Sequence, residues 1–301
     1  MTTLDSPAAP APATPATARA DAPIRRELGV VNVLSHGFLL FWGAVTVLPL
    51  LWMVISSFKS NAEILADPWG LPGALRFDKW AQAWTGAHIG QYFINSLVVV
   101  TGSVTLTMLT GATAAYVFAR YEFRGRQLLY YLFVGGLMFP VFLALVPLFF
   151  VVRNAGLFNT WTGLILVYAA YSLPFTVFFL TAFFRTLPTS VAEAALVDGC
   201  GHFRLFFQVM LPMARPGMIS LGIFNFLNHW NQFLLPQVLM QGDESKWVLA
   251  QGLAALSVNQ GYAGDYAQLF AGLTIAVVPV LVVYVAFQRQ VQSGLTAGQL
   301  K

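Results

Sequence analysis

Charge is what this sequence has least of. Asp, Glu, Lys and Arg together make up 9% of 301 residues, too few to cover the surface of a water-soluble protein of this size. There is one cysteine, Cys200, which excludes an internal disulfide and cannot alone build a metal site. It falls in a loop expected to face the cytosol, where a thiol stays reduced. No Gly-x-x-x-x-Gly-Lys-Ser/Thr run occurs, and none of Lys59, Lys79, Lys246 and Lys301 follows a glycine, so there is no phosphate-cradling P-loop. His-Glu-x-x-His is absent, and the histidines His36, His88, His202 and His229 are scattered, which leaves a catalytic cluster unsupported.

What is present is apolar: 57% of the residues, arranged around the few charges. Six long intervals contain no Asp, Glu, Lys or Arg. They are Leu28 to Phe58, Trp80 to Ala119, Gln127 to Val152, Asn154 to Phe184, Pro216 to Gly242 and Tyr266 to Gln288. An ionised side chain in hydrocarbon costs several kcal/mol, so spanning segments exclude them. Each interval holds an apolar core of about 20 residues, enough for a helix to cross roughly 30 Å of lipid. The sequence therefore predicts an all-α, polytopic membrane protein with six transmembrane helices, at about 32–56, 92–118, 128–150, 161–183, 216–238 and 267–288. Trp247 to Gly264 is also free of charge, but Gln251, Gly252, Ser257, Asn259, Gln260 and Gly261 interrupt it, and it reads as a short surface helix and loop.

Lys and Arg are retained on the cytoplasmic side during insertion. With the N-terminus inside, the inner segments carry Arg19, Arg25, Arg26, Arg120, Arg124, Arg126, Arg185, Arg204, Arg215, Arg289 and Lys301; the outer ones carry Lys59, Arg76, Lys79, Arg153 and Lys246. That excess puts both termini in the cytoplasm and makes the chain a multi-pass protein of the cytoplasmic (inner) membrane. Topology accounts for the positive net charge, and nucleic-acid binding is unnecessary to explain it. Residues 1–27 form a tail that is almost entirely Ala, Pro, Thr and Ser up to Ala22, a composition that predicts disorder. The apolar run that follows is too long for a cleavable signal, and residues 28–301 read as one permease-like membrane domain.

Within the helices, Gly102, Gly111, Ala112, Ala114 and Ala115 invite close approach of a neighbour in lipid. Pro140 and Pro147 in the third span and Pro174 in the fourth free backbone carbonyls, giving kinks or gating hinges. The longest polar interruption is loop 185–215. In it, Ser190 and Glu193 fit a capping box, Gly199 fits a helix-ending left-handed residue, and a two-turn helix from Val191 to Asp198 is expected between them. An amphipathic piece, Phe203 to Met210, follows; as an ordinary interfacial loop it would rest Phe203, Phe206 and Phe207 in the headgroups.

Glu193-Ala194-Ala195, three residues, Gly199, nine residues, Val209, one residue and Leu211-Pro212 resemble the EAA loop of ABC importer permeases, with Val209 for the commoner Ile. Ser57-Phe58-Lys59, Tyr92-Phe93-Ile94-Asn95-Ser96, Phe123-Arg124-Gly125-Arg126, Gly156-Leu157-Phe158-Asn159-Thr160, Trp230-Asn231-Gln232-Phe233 and Gly294-Leu295-Thr296-Ala297-Gly298 are similar to the carbohydrate branch, the smaller maltose-permease type. Gln232 stands where an acidic residue is common. The resemblance implies the type I ABC importer permease fold. It also implies that Glu193, Ala194, Ala195, Asp198, Gly199, Leu211 and Pro212 couple the chain to an ATPase. The implied partners are a second, unlike permease, two cytoplasmic ABC ATPases holding ATP and Mg, and an extracytoplasmic solute-binding protein. The chain itself then needs no cofactor and is no enzyme.

Asn225, Asn228, His229 and Gln232 form one polar stripe at i, i+3, i+4 and i+7 on the fifth span, with Trp230 and Phe224 close by. Two readings stand: amides that bond sugar hydroxyls, or polar residues that bond neighbouring helices. A secondary transporter would place a carboxylate or Lys within a span, and a channel a charged ring; neither is present in the six cores. An ABC permease for another solute, such as an amino acid, peptide or polyol phosphate, is the nearest alternative.

Overall fold

The structure, a computed structural model, describes residues 30–296; the tail expected over 1–27 and the terminal Lys301 lie outside the described residues. Every regular element among those residues is helical. The chain divides into two compact units, one ending at Pro49 and one running from Leu50 onward. The described part of the first is the apolar beginning of helix α1 (Val30–Ser56), which carries Pro49 in its interior. The second comprises the end of α1, then α2 (Ile89–Arg120), α3 (Arg126–Gly136), α4 (Val141–Asn154), α5 (Trp161–Thr186), α6 (Thr189–Val197), α7 (Arg215–Trp230), α8 (Leu234–Leu239), α9 (Leu249–Ala263) and α10 (Tyr266–Thr296), with short helical turns between them.

Helices α2 and α5 form the framework of this unit, and they run parallel. A Cβ on Gly102 would lie 2.9 Å from Ile165 Cδ1 and one on Gly111 would lie 2.5 Å from Thr176 Cγ2, while Arg120 bonds the Phe184 carbonyl. The small residues of α2 thus let α5 approach to backbone contact, as van der Waals packing in lipid requires. Helix α7 runs the opposite way: its Asn225 meets Thr176 and its His229 meets Ser172. Helix α10 reverses again, with Trp230 bonded to the Ala276 carbonyl and Ser220 to that of Gln290. Alternating directions are what successive crossings of one slab produce, and α2, α5 and α10 all end beside loop 185–215.

Parallel α2 and α5 require a return crossing between them. The sequence predicts one continuous helix there, at about 128–150. Instead, α3 and α4 are bent by 103° at the segment 137–140. Pro140 is the residue before α4 and has no N–H to continue the ladder of α3, and Gly135-Gly136 end α3 just before it. Pro147, Pro174 and Pro279 stay inside their helices. Gly136 also lets α3 touch α5, since a Cβ there would lie 2.9 Å from Pro174 Cγ.

The fifth crossing is likewise shorter than the expected 216–238. Helix α7 stops at Trp230 after 16 residues, about 24 Å of rise, and α8 continues the apolar run. Four helices among the described residues are long and apolar enough to span alone, and the bent pair supplies a fifth candidate.

Residues 247–264 contain the helix expected there, but its first half is buried rather than at the surface. This is α9, whose Leu249, Gln251, Gly252 and Leu256 are buried against α2 and α10. Of the polar groups that argued against burial, Ser257 and Asn259 are exposed, while Gln251 donates to the Met240 carbonyl at 3.3 Å and accepts from the Val248 N–H, and Gln260 donates to Gln268 at 2.9 Å. The start of α2 fastens this region. Asn95 Nδ2 donates to the carbonyls of Ser245 and Trp247, both at 2.8 Å, and Ser96 Oγ accepts from the Leu249 N–H at 2.7 Å. At the end of α1, Lys59 is 1% exposed, its ammonium donating to the carbonyls of Asp67 at 3.0 Å and Pro68 at 3.2 Å.

Candidate functional site

Two regions bring sequence-predicted residues together: loop 185–215 at one end of the unit, and a cavity against α7.

The loop is a short helix set on a braced base. Helix α6 starts at Thr189, two residues earlier than the capping-box reading requires, with Pro188 as its N-cap and no side-chain cap bond. Ser190 lies within the first turn, because the extended backbone at Pro188 sets the start. The other end is as expected. Gly199 sits at φ +76°, the Gly199 N–H donates to the Leu196 carbonyl at 3.0 Å, and the Cys200 N–H donates to that of Ala195 at 2.9 Å. These are the two bonds of a Schellman motif.

The inner side of α6, through Ala192 and Ala195, rests on an apolar cluster that includes Tyr116, Phe184, Leu205, Phe206 and Met210; Leu211 packs there too. Glu193, Ala194, Asp198, Gly199 and Pro212 are exposed. So are Val197 at 88% and Phe203 at 84%. The Tyr116 ring lies 4.9 Å from that of Phe206 and 5.5 Å from that of Phe184, and Tyr121 Oη meets His202 Nδ1 at 2.9 Å. Arg120 completes the bracing by donating to the Phe184 and Leu187 carbonyls at 2.8 and 2.6 Å. Sequence reasoning missed that role, counting Arg120 only as a topology charge.

The stripe on α7 divides. Asn225 and His229 are turned into the helix packing, 1% and 2% exposed. Asn225 Nδ2 donates to Thr176 Oγ1 at 3.1 Å and contacts Met108 Sδ at 3.6 Å. His229 bridges α2 and α5, its Nδ1 at 2.8 Å from Ser103 Oγ and its Nε2 at 2.7 Å from Ser172 Oγ. A neutral imidazole donates at one nitrogen and accepts at the other, so two hydroxyls satisfy it without any charge in the bundle.

Asn228 and Gln232, with the edge of Asn225, line a cavity of about 430 Å³, walled by Tyr171, Phe175 and Phe224 and bordered by the α3–α4 bend at Phe139 and Phe142. Trp230 faces away from it, stacked on Phe226 at 5.6 Å with its Nε1 on the Ala276 carbonyl. The partners Ser103, Ser172 and Thr176 were not anticipated. The spacing Ser172, Thr176 and that of Ser103, Thr107, Gly111 carried the signal, small residues four apart on one helix face.

Residues 107–296 match the family described as binding-protein-dependent transport system inner membrane component. The chain belongs to this family. It is 55% identical over 268 residues to the diacetylchitobiose uptake system permease protein NgcG of Streptomyces coelicolor, covering 89% of this chain and 88% of that one. It is 31% identical to the trehalose transport system permease protein SugB of Mycobacterium tuberculosis, over 85% and 92% of the two chains. Among solved structures, a chain of a bacterial ABC transporter that imports the acidic polysaccharide alginate superposes with a TM-score of 0.76 at 19% identity, covering 86% of this chain and 96% of that one. The protein is therefore an ABC importer permease, a multi-pass inner-membrane component.

Proposed function

We propose that this permease serves a binding-protein-dependent importer of a sugar or oligosaccharide, working by ATP-driven alternating access. The observation that carries the carbohydrate reading is the 55% identity, over 89% of the chain, to a permease named for diacetylchitobiose uptake. The assembly comprises a second, unlike permease, two cytoplasmic ATPases that bind ATP and Mg, and an extracytoplasmic protein that delivers the solute. This chain supplies no phosphate-binding loop. Its termini and loop 185–215 face the cytoplasm, the side on which most of its Lys and Arg fall.

Helix α6 is the coupling helix in this reading. Two-turn helices are marginal alone, and this one is held by the Schellman bonds, by Ala192 and Ala195 on the apolar base, and by Arg120. The exposed residues Glu193, Ala194, Val197, Asp198 and Gly199 are then free to seat in a groove on the ATPase, and movement there reaches the ends of α2 and α5 directly. Solute passes along the cavity beside α7, where Asn228 and Gln232 bond hydroxyls, Phe175 and Phe224 supply an apolar face, and Asn225 and His229 keep the wall in place.

Reconstitution tests this. The assembled complex in proteoliposomes is expected to accumulate labelled diacetylchitobiose or trehalose only with ATP on the ATPase side and binding protein on the other. Uptake driven by an ion gradient without the ATPases, or confined to amino acids and peptides, overturns it.

A further inference from the structure

A second cavity, of about 720 Å³, opens where α2 begins, at the far end of α2 from loop 185–215. Its volume lies within the roughly 300–1,000 Å³ range of small-molecule sites. Its wall is a run of aromatic rings: His88 lies 6.5 Å from Tyr92, and Tyr92 lies 6.1 Å from Trp247. Its rim carries uncharged amides, among them Gln237 and Asn259, and one carboxylate, Glu244.

Three features mark it as a built site. First, Trp247 Nε1 is buried and has no hydrogen-bond acceptor among the described residues, although a buried indole N–H ordinarily finds one. Second, the backbone carrying Trp247 is clamped from two helices, by Asn95 on the Ser245 and Trp247 carbonyls and by Trp161 Nε1 on the Lys246 carbonyl at 3.0 Å; the ring is therefore preorganised. Third, His88 sits at φ +56°, a conformation that non-glycine residues rarely hold without a reason.

We infer that this cavity is an outer carbohydrate subsite, which receives a neutral sugar unit after release from the binding protein and before passage to the cavity beside α7. The chemistry matches: a pyranose presents an apolar C–H face to an aromatic ring and a rim of hydroxyls to amides and a carboxylate. Gly252 shapes the wall, since a Cβ there would lie 2.0 Å from Tyr92 Cδ2 and drive that ring off the helix.

The inference rests on the carbohydrate reading, and the experiment separates the two. Uptake by the complete complex, wild type, first shows which sugar is imported from a panel of neutral mono- and oligosaccharides that includes diacetylchitobiose and trehalose; import of none of them sinks the carbohydrate reading and the subsite with it. The imported sugar is then titrated into the full complex in nanodiscs without binding protein. A saturable change is expected for wild type, and at least fivefold weaker binding, read by isothermal titration calorimetry because Trp247 is itself a fluorophore, in Asn259→Ala, Gln237→Ala and Trp247→Ala. Equal melting temperatures and basal ATP hydrolysis across the set establish intact folds. Should sugar be imported while all three variants bind it as wild type does, or while wild type gives no saturable change, the subsite is refuted and the transport assignment stands. Binding-protein docking that weakens in these variants, with sugar binding unchanged, also overturns the subsite, because the cavity then receives protein.

Discussion

Arg120, the last residue of α2, donates through Nη2 to the carbonyl oxygens of both Phe184 and Leu187. Helix ends leave their final carbonyls without intrahelical donors, and here a guanidinium from a neighbouring helix supplies them. One side chain thus joins the finish of α2, the finish of α5 and the first residues of loop 185–215, so that displacement of the loop is felt by two spans at once.

Replacing it tests the tie. Arg120→Ala removes two charge-assisted bonds, each worth about 1.5–3 kcal/mol when sheltered, at a half-buried position. Normal insertion, a lower melting temperature and uptake reduced severalfold relative to ATP hydrolysis are expected, with Arg120→Lys between the two. Uptake per ATP equal to wild type in Arg120→Ala would show that the tie transmits nothing.

At Gly199 the prediction is conformational. No atom lies within 4 Å of a Cβ built there, so a side chain meets open space and only the φ of +76° is at issue. Left-handed backbone costs most residues about 1–2 kcal/mol, and Asn less. Uptake is expected to fall in the order Gly, Asn, Ala at equal abundance, and Gly199→Asp is expected to abolish it for a further reason, since its carboxylate would project from the exposed end of α6 into the ATPase groove. ATP-driven uptake that persists in Gly199→Asp counts against a coupling role for α6.

Gly111 predicts a rescue. In Gly111→Ala the new Cβ would sit 2.5 Å from Thr176 Cγ2, forcing α2 and α5 apart at a cost of about 1–3 kcal/mol. Adding Thr176→Ser deletes that methyl and keeps the hydroxyl that accepts from Asn225. The single variant should melt lower than wild type in detergent and the double variant should recover most of the loss; no recovery would place the strain elsewhere.

Acid should act through the pair of Lys79 and Asp265, which meet at 2.7 Å. Burial pushes the Asp265 carboxyl up, but the Lys79 and Gln268 hydrogen bonds, the lysine charge and Asn61 outweigh it and hold the carboxyl below its ordinary value. A depressed carboxyl contributes stability above its unfolded pKa, near 3.9, and loses it as pH falls through the lower folded value. Melting curves of wild type and Asp265→Asn should therefore differ by a constant amount from pH 7 to about 5 and converge only under stronger acid. Convergence already between pH 7 and 5 would refute the assignment.

The spans and loop 185–215 were legible in the sequence because each depends on a property carried by single residues: exclusion of charge from lipid, and left-handed backbone at Gly199. A kink was legible at Pro140 as at Pro147 and Pro174, but not that Pro140 would break its helix where the others do not. Pro49, Pro147, Pro174 and Pro279 are the same residue in similarly apolar runs and stay inside helices. Whether a proline breaks a helix depends on neighbours, and Gly136 against Pro174 is a tertiary contact. Helix α9 was legible as a helix, but its burial was missed for the same reason. Gln251 and Gln260 look unburiable until Met240, Val248 and Gln268 are placed beside them. The stripe on α7 was legible as a stripe, yet its four polar residues divide between packing and cavity according to which faces α2 and α5 occupy.

The sequence by itself determined that the chain crosses a membrane, roughly where, and that its longest polar loop holds a short glycine-ended helix, because solvation of charges and local backbone geometry are nearest-neighbour properties. Only the tertiary structure decided which polar side chains are spent on holding helices together and which are left facing a cavity, because a buried hydrogen bond requires a partner that the linear order can place 153 residues away, as Ser96 and Leu249 are.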